Sequence, residues 1–377
     1  MEKQYFYNAN YFADDGLFHH GGFCVENGRF KDVGHVENGV DLYGAYVIPG
    51  LIDIHTHGNS GHDFSSCGAD ELALIARAHA KAGVVGFCPT SMTLPENTLS
   101  RAFSNAARLK KEPGRYAARV LGINMEGPFL SPKRKGAQNA EYLRDPDEAF
   151  YRRLQEAAQG AIRMIDIAPE LSGALSFAHA LKEEVILSLA HSDANYEEAA
   201  AGFSAGLRHV THMFNAMPGL THRAPGPIAA AAERDDVLIE LIADGVHIHP
   251  SVIRMCFSLF GAERICLISD SMEACFMEDG VYQLGGQTVN VKGPLATLSD
   301  GTIAGSATPL YTCMQNVIAW GMKKEDAIKA AASTPAKRLG LQGEYGSIAN
   351  GKRASFLITD EALCLKKVYI EGELVGM

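Results

Sequence analysis

Six residues of this chain, four histidines and two carboxylates, stand out as metal-competent by type and position, and they are scattered so widely that only a fold could unite them. The tightest pair is His55-Thr56-His57. Residues i and i+2 of an extended segment point the same way, so both imidazoles can reach one ion. The others are Glu126, in Met125-Glu126-Gly127-Pro128-Phe129, then His191, His212 and Asp270. Taken singly, each reads as a capped or hydrogen-bonded structural residue. Four histidines and two carboxylates together suit a borderline divalent ion, zinc first, with iron or manganese as alternatives. Six groups exceed what one catalytic tetrahedral site with a water position needs. Two ions bridged by Glu126 are therefore expected, against a simpler single ion on Glu126, His191 and His212.

The chemistry that such a centre performs is hydrolysis. A divalent ion lowers the pKa of water towards about 7 and polarises a carbonyl oxygen. Asp270 has two roles open to it: metal ligand, or acceptor of the water proton and donor to a leaving nitrogen. His247, in Ala243-Asp244-Gly245-Val246-His247, is placed to hydrogen-bond a substrate. His249 reads as solvated beside Pro250, and His19, His20, His35, His62, His79, His179, His209 and His222 as surface or satisfied core residues. Other hydrolytic signatures find less support. There is no G-x-S-x-G elbow, since Gly202-Phe203-Ser204-Ala205-Gly206 has that spacing but continues an amphipathic stretch instead of following a strand. Neither H-E-x-x-H nor a G-x-x-x-x-G-K-[ST] loop occurs.

What must position these groups is a set of short apolar runs: residues 47–54, 84–88, 120–125, 164–167, 185–190, 209–212, 237–243 and 265–269. They are largely continuous in apolar character, as strands buried on both faces should be. Amphipathic stretches at 70–81, 98–110, 147–157, 197–203 and 250–260 separate several of them, with Asp70 and Asp193 as helix starts. Eight alternations predict an α/β fold, a (β/α)₈ TIM-like barrel, over residues 49–339. The metal-competent residues then fall at strand C-termini, where such barrels carry their active sites. A doubly wound open sheet is the structural alternative, although no G-x-G-x-x-G follows the first run. Residues 1–48 and 340–377 read instead as turn-rich antiparallel β pieces (Phe23-Cys24-Val25 before Glu26-Asn27-Gly28; Gly346-Ser347-Ile348, 354–359 and 368–374). They are expected to pair into one small composite β-sandwich domain.

The formal charge of −10 argues against a nucleic-acid partner, which needs a basic face. No run of about 18 apolar residues suggests a membrane span, and no leader is expected at the N-terminus. Eight dispersed cysteines without C-x-x-C read as reduced thiols, which implies a cytoplasmic protein.

The longer motifs carry a resemblance. Pro49-Gly50-Leu51-Ile52-Asp53-Ile54-His55-Thr56-His57-Gly58 looks like the opening of the amidohydrolase superfamily. More selective are Glu126-Gly127-Pro128-Phe129 with Lys135-Gly136-Ala137-Gln138, Ala190-His191-Ser192-Asp193-Ala194, and Thr211-His212-Met213-Phe214-Asn215-Ala216-Met217. Ile242-Ala243-Asp244-Gly245-Val246-His247, Ser269-Asp270-Ser271 and Gly301-Thr302-Ile303-Ala304-Gly305-Ser306 complete the set. In this order, over residues 49–308, the chain resembles the N-acetylglucosamine-6-phosphate deacetylases. The resemblance implies hydrolysis of an N-acetylated hexosamine 6-phosphate to acetate and the amino sugar phosphate. It implies a main metal on Glu126, His191 and His212, a second held by His55 and His57, and Asp270 as acid/base. It also implies sugar contacts from Ala137, Gln138, Asn215, Ala216, Asp244, His247, Ile303, Ala304 and Gly305. Arg223 is implied at the phosphate, commonly across the interface of a homodimer.

Two features depart from the commoner pattern. Gln138 stands where many members carry a histidine; it can donate to a carbonyl but cannot carry a proton. The His-x-His pair is present where some members lack ligands. Rival readings are another amidohydrolase, such as a cyclic-amide hydrolase or dipeptidase, a galactosamine-epimer deacetylase, and a non-catalytic relative. Many cyclic-amide hydrolases and dipeptidases bridge two metals with a carboxylated lysine on the fourth strand. Here that strand ends in Ala168-Pro169-Glu170, and all six metal-competent groups are retained.

Overall fold

A computed structural model describes residues 3–376; Met1, Glu2 and Met377, at the outer ends of the expected flanking segments, lie outside the described residues. The apolar runs become eight parallel strands: Leu51–Thr56, Val84–Ser91, Ile123–Glu126, Ile162–Ile167, Ile186–Leu189, His209–Val210, Leu238–Ile242 and Ile265–Ile268. Each pairs in parallel with the next. The ring closes where Thr56 pairs with Ser271 and the Asp270 amide donates to His55 O over 3.0 Å. Closure excludes the open doubly wound sheet. Helices such as Ala69–Lys81, Glu96–Lys111 and Tyr196–Ala205 lie between the strands and bury their apolar stripes against them.

Two of the expected strands are interrupted at glycine. The run at 47–54 is two strands that change sheet at Gly50. Tyr46–Pro49 pairs antiparallel with Phe356–Thr359, and Leu51–Thr56 enters the barrel. A Cβ at Gly50 would sit 2.2 Å from a Val85 methyl, so the close turn requires glycine. The end sheet therefore reaches Pro49. Likewise Arg119–Val120 pairs with the second barrel strand before Ile123–Glu126 resumes.

Two expected helix starts are also corrected. Gly68 precedes the first helix without a side-chain cap, and Asp70 lies in its first turn. Asn195, not Asp193, caps Tyr196–Ala205 in a reciprocal box with Glu198, because Asp193 is held by Lys133 and Arg134. Asp147 caps Glu148–Ala157 through its carboxylate.

The chain ends share one eight-stranded sheet around Phe6, Phe23, Phe30, Phe356 and Tyr369. The Phe356 and Tyr369 rings stack at 4.5 Å. The sheet rolls over this core until Arg29 pairs with Arg353. Gly346-Ser347-Ile348 forms no strand; Ile348 only donates to Phe12 O. A three-stranded sheet was not anticipated: Gly280–Leu284, Gln287–Lys292 and Leu295–Thr297, after the last barrel strand. Its first hairpin turns at Gly285-Gly286, both with positive φ. Among the described residues no helix is long and apolar enough to cross a membrane, and none of the eight cysteines is in a disulfide.

Candidate metal centre

All six metal-competent residues converge at the C-terminal mouth of the barrel. His55 and Glu126 lie on strands, and His57 follows the first strand directly. His191, His212 and Asp270 each stand just past a strand end with φ of 43°, 27° and 48°. For residues other than glycine this left-handed region is sparsely used, at a cost on the order of 1–3 kcal/mol each. The same unusual turn at three strand ends swings three side chains over the barrel axis.

Glu126 is the hub. Its Oε1 lies 3.1 Å from His191 Nε2, 3.0 Å from His212 Nε2 and 3.6 Å from His55 Nε2. Its Oε2 lies 3.4 Å from His57 Nε2. Two triads result, His55/His57/Glu126 and Glu126/His191/His212, the ligand atoms of each lying within 4.8 Å of one another. Asp270 Oδ1 adds a carboxylate 3.2 Å from His57 Nε2 and 3.5 Å from His55 Nε2.

Hydrogen bonding fits these residues to hold cations. His57 Nδ1 donates to Thr90 O over 3.1 Å, and His191 Nδ1 to Arg134 O over 2.9 Å. A carbonyl only accepts, so each neutral ring keeps its lone pair on Nε2, facing inward. His55 Nδ1 faces Glu240 Oε2 at 3.0 Å, and its buried Nε2 has no hydrogen-bond partner among the described residues. Electrostatics agree. Burial opposes charge on every member. Even so, the surrounding imidazoles hold Glu126 well below the usual carboxylate range, and hold Asp270 below it. Neighbouring carboxylates conversely outweigh burial at His55 and His57 and raise both.

The centre opens into a cavity of about 360 Å³. Of the expected contact residues, Ala137, Gln138, Asn215, Ala216, His247, Ile303 and Gly305 line it. Three others do not. Asp244 lies behind His247: its Oδ2 takes His247 Nδ1 at 2.7 Å, and its Oδ1 accepts two backbone amides. It positions the imidazole and leaves Nε2 for the cavity. Ala304 is fully buried among Met92, Ala137 and Met272. Arg223 is exposed and lines a separate groove with Glu197 and Glu233, so it does not reach its own chain's cavity. Gln138 lines the cavity but its Nε2 is engaged by Glu126 Oε2 at 2.7 Å.

Sequence reasoning missed several neighbours. Met92, Lys133, Arg134, Leu284 and Thr302 also line the cavity. Leu284 arrives on the unanticipated three-stranded sheet. Lys133 and Arg134 were signalled by Lys133-Arg134-Lys135 beside the Glu126 motif. Glu240, fully buried, was signalled only as a lone carboxylate in the apolar run 237–243.

Comparison with known proteins agrees with this geometry. Residues 46–375 match the model of the amidohydrolase family. An N-acetylglucosamine-6-phosphate deacetylase of Bacillus subtilis (strain 168) is 37% identical over 316 residues, 83% of this chain and 80% of the relative. An N-acetylgalactosamine-6-phosphate deacetylase of Escherichia coli O157:H7 is 36% identical over 332 residues, 88% of each. A mutant N-acetyl-D-glucosamine-6-phosphate deacetylase from Mycobacterium smegmatis, solved in complex with N-acetyl-D-glucosamine-6-phosphate, superposes with a TM-score of 0.93. It is 31% identical and covers 100% of both chains. With its closed barrel, its Glu126-centred triads and these relatives, this chain belongs to the amidohydrolase family, among the N-acetylglucosamine-6-phosphate deacetylases.

Proposed function

We propose that this protein hydrolyses the acetamide of N-acetyl-D-glucosamine 6-phosphate to D-glucosamine 6-phosphate and acetate, as a step of amino-sugar breakdown. The observation that carries the reading is the pair of triads sharing Glu126, with Asp270 alongside, at the floor of a cavity of about 360 Å³. Glu126, His191 and His212 would hold one divalent ion and His55 and His57 a second, with Asp270 beside them. The imidazole–carboxylate donor set favours zinc, with iron or manganese as alternatives. Bound there, a divalent ion supplies an activated water and a polarised acyl oxygen.

The chain's own groups do the rest. Asp270, ionised before the reaction, accepts the proton as the water oxygen bonds to the carbonyl carbon. It returns that proton to the amide nitrogen as the C–N bond breaks, so the amine leaves neutral. A positioned acid/base of this kind contributes about 10²–10⁴ in rate. His247, fixed by Asp244, presents Nε2 to the substrate. Asn215, Ala216 and the Ile303–Gly305 turn shape the sugar subsite.

Arg223 is inferred to bind the phosphate of the neighbouring subunit's substrate, which makes the protein a homodimer. Its absence from its own cavity supports this. Cysteines without disulfides among the described residues support a reducing, cytoplasmic compartment. The 36% identity to a galactosamine-epimer enzyme keeps that epimer as the second reading.

The test is acetate release by metal-defined protein from N-acetylglucosamine and N-acetylgalactosamine, each with and without 6-phosphate. Turnover is expected to be highest on the glucosamine 6-phosphate and lowered about 10²–10⁴ in Asp270→Asn with metal retained. Equal turnover by Asp270→Asn would assign the proton transfer to another group. A preference for the galactosamine phosphate would reverse the two readings.

A further inference from the structure

Glu240 sits in the middle of the seventh barrel strand, fully buried, in Leu238-Ile239-Glu240-Leu241-Ile242. A carboxylate there is costly unless donors surround it. Three do. Oε2 takes His55 Nδ1 at 3.0 Å and the His212 backbone N–H at 3.2 Å, and Oε1 takes His209 Nε2 at 3.1 Å. The Glu240 carbonyl also accepts the Met213 amide over 3.0 Å.

One oxygen therefore touches a member of each triad. His55 belongs to the first and His212 to the second. At His55 the carboxylate keeps the ring N–H on Nδ1 and leaves the Nε2 lone pair directed at Glu126 and Asp270. At His212 it does something different. That residue has φ 27°, a conformation a histidine seldom adopts, and the bond to its amide helps hold the strained turn that aims its ring at Glu126. The tautomer of one ligand and the backbone of another depend on a single group.

We propose that Glu240 is the positioning residue shared by both metal positions, so that the two are built and lost together. This rests on the two-ion reading above. Ligand-orienting carboxylates typically contribute 10- to 100-fold in metal affinity. Glutamine at this position has almost the same size but a neutral oxygen. If the amide turns the other way, its NH₂ faces His55 Nδ1, drives the ring proton to Nε2 and removes the lone pair a cation needs.

The experiment compares wild type with Glu240→Gln. Each protein is stripped of metal, and zinc binding is titrated against a chromophoric chelator to give a dissociation constant per ion. The melting temperature of each metal-free protein is measured alongside. Both ions are expected to bind about 10- to 100-fold more weakly in the variant. If only one ion weakens, the shared role is overturned. If neither does, and only the metal-free melting temperature falls, Glu240 is a structural buried carboxylate and nothing more. Should Glu240→Gln not fold without metal, Glu240→Asp serves instead. It keeps the charge but withdraws it by one methylene, and the same joint weakening is expected. Wild type that never binds more than one zinc refutes the two-ion reading, and with it the shared role.

Discussion

Gln138 grips Glu126. Its Nε2 donates to Glu126 Oε2 over 2.7 Å while its Oε1 accepts the Thr93 amide over 2.7 Å. Both of its polar atoms are spoken for, in a side chain only 2% exposed. A glutamine here is thus a strut between a loop and the hub of the centre, rather than a free donor awaiting a carbonyl. Gln138→Leu would leave the buried Thr93 N–H without its acceptor, costing about 1–3 kcal/mol, and would release one oxygen of Glu126. Metal affinity is expected to fall about 10-fold, read by chelator competition, together with a lower melting temperature. Unchanged affinity would show that the histidines alone hold Glu126 in place.

Because Glu126 belongs to both triads and His57 to only one, their variants should differ in stoichiometry. Glu126→Gln is expected to lose both ions and His57→Asn only one, as measured by elemental analysis of purified protein. Full wild-type metal content in Glu126→Gln would remove Glu126 from the ligand set.

Arg223 gives the sharpest test of the assembly, since it lies outside its own chain's cavity. A charge-assisted hydrogen bond to phosphate is worth roughly 1.5–3 kcal/mol, or about 10- to 150-fold. Arg223→Ala should lower kcat/KM on the 6-phosphate by about that factor and leave the poor activity on the unphosphorylated sugar nearly unchanged. Mixing inactive Asp270→Asn subunits with Arg223→Ala subunits should restore activity, because one hybrid site then carries both intact groups. Equal losses on both substrates would make Arg223 structural.

His79 should make folding stability fall with acid. It is buried against Phe87, and burial pushes its imidazole down from 6.5 to about 3. Below pH 6.5 the unfolded chain takes up a proton that the folded chain refuses. The stability is therefore complete above about pH 6.5 and declines towards pH 3, by about 1.4 kcal/mol per pH unit. Urea unfolding of metal-free protein at about pH 6.5 and about pH 5 should show wild type losing about 2 kcal/mol more than His79→Gln. Parallel losses would place the acid sensitivity elsewhere.

Much of this was legible in residue order, because it depends on local periodicity. Apolar runs of strand length separated by amphipathic stretches already require a layered α/β fold, and His55-Thr56-His57 already requires two imidazoles on one face of an extended segment. Glu126, His191, His212 and Asp270 were legible as strand-end residues for the same reason. The interruptions at Gly50 and, between Val120 and Ile123, at Gly122 were not, because the apolar pattern is the same whether a strand continues, changes sheet as at Gly50, or breaks and resumes beside the same neighbour as at Gly122.

Only the tertiary structure decided which groups meet. Ring closure between the first and eighth strands brings Asp270 to His55 and His57 across more than half the chain, and left-handed turns at three strand ends aim the side chains inward. Glu240 reads in sequence as an isolated polar residue in a buried strand. Its partner His55 is 185 residues away, and nothing local marks the pair. Of Gln138 and Asp244, which the resemblance implies as substrate contacts, Gln138 donates a hydrogen bond to Glu126 and Asp244 accepts one from His247, and only Gln138 also lines the cavity. The physical reason is the same in each case. Type and spacing determine which face of an element a side chain occupies. Which hydrogen-bond partner satisfies it once water is excluded depends on the closed barrel that brings distant strands together.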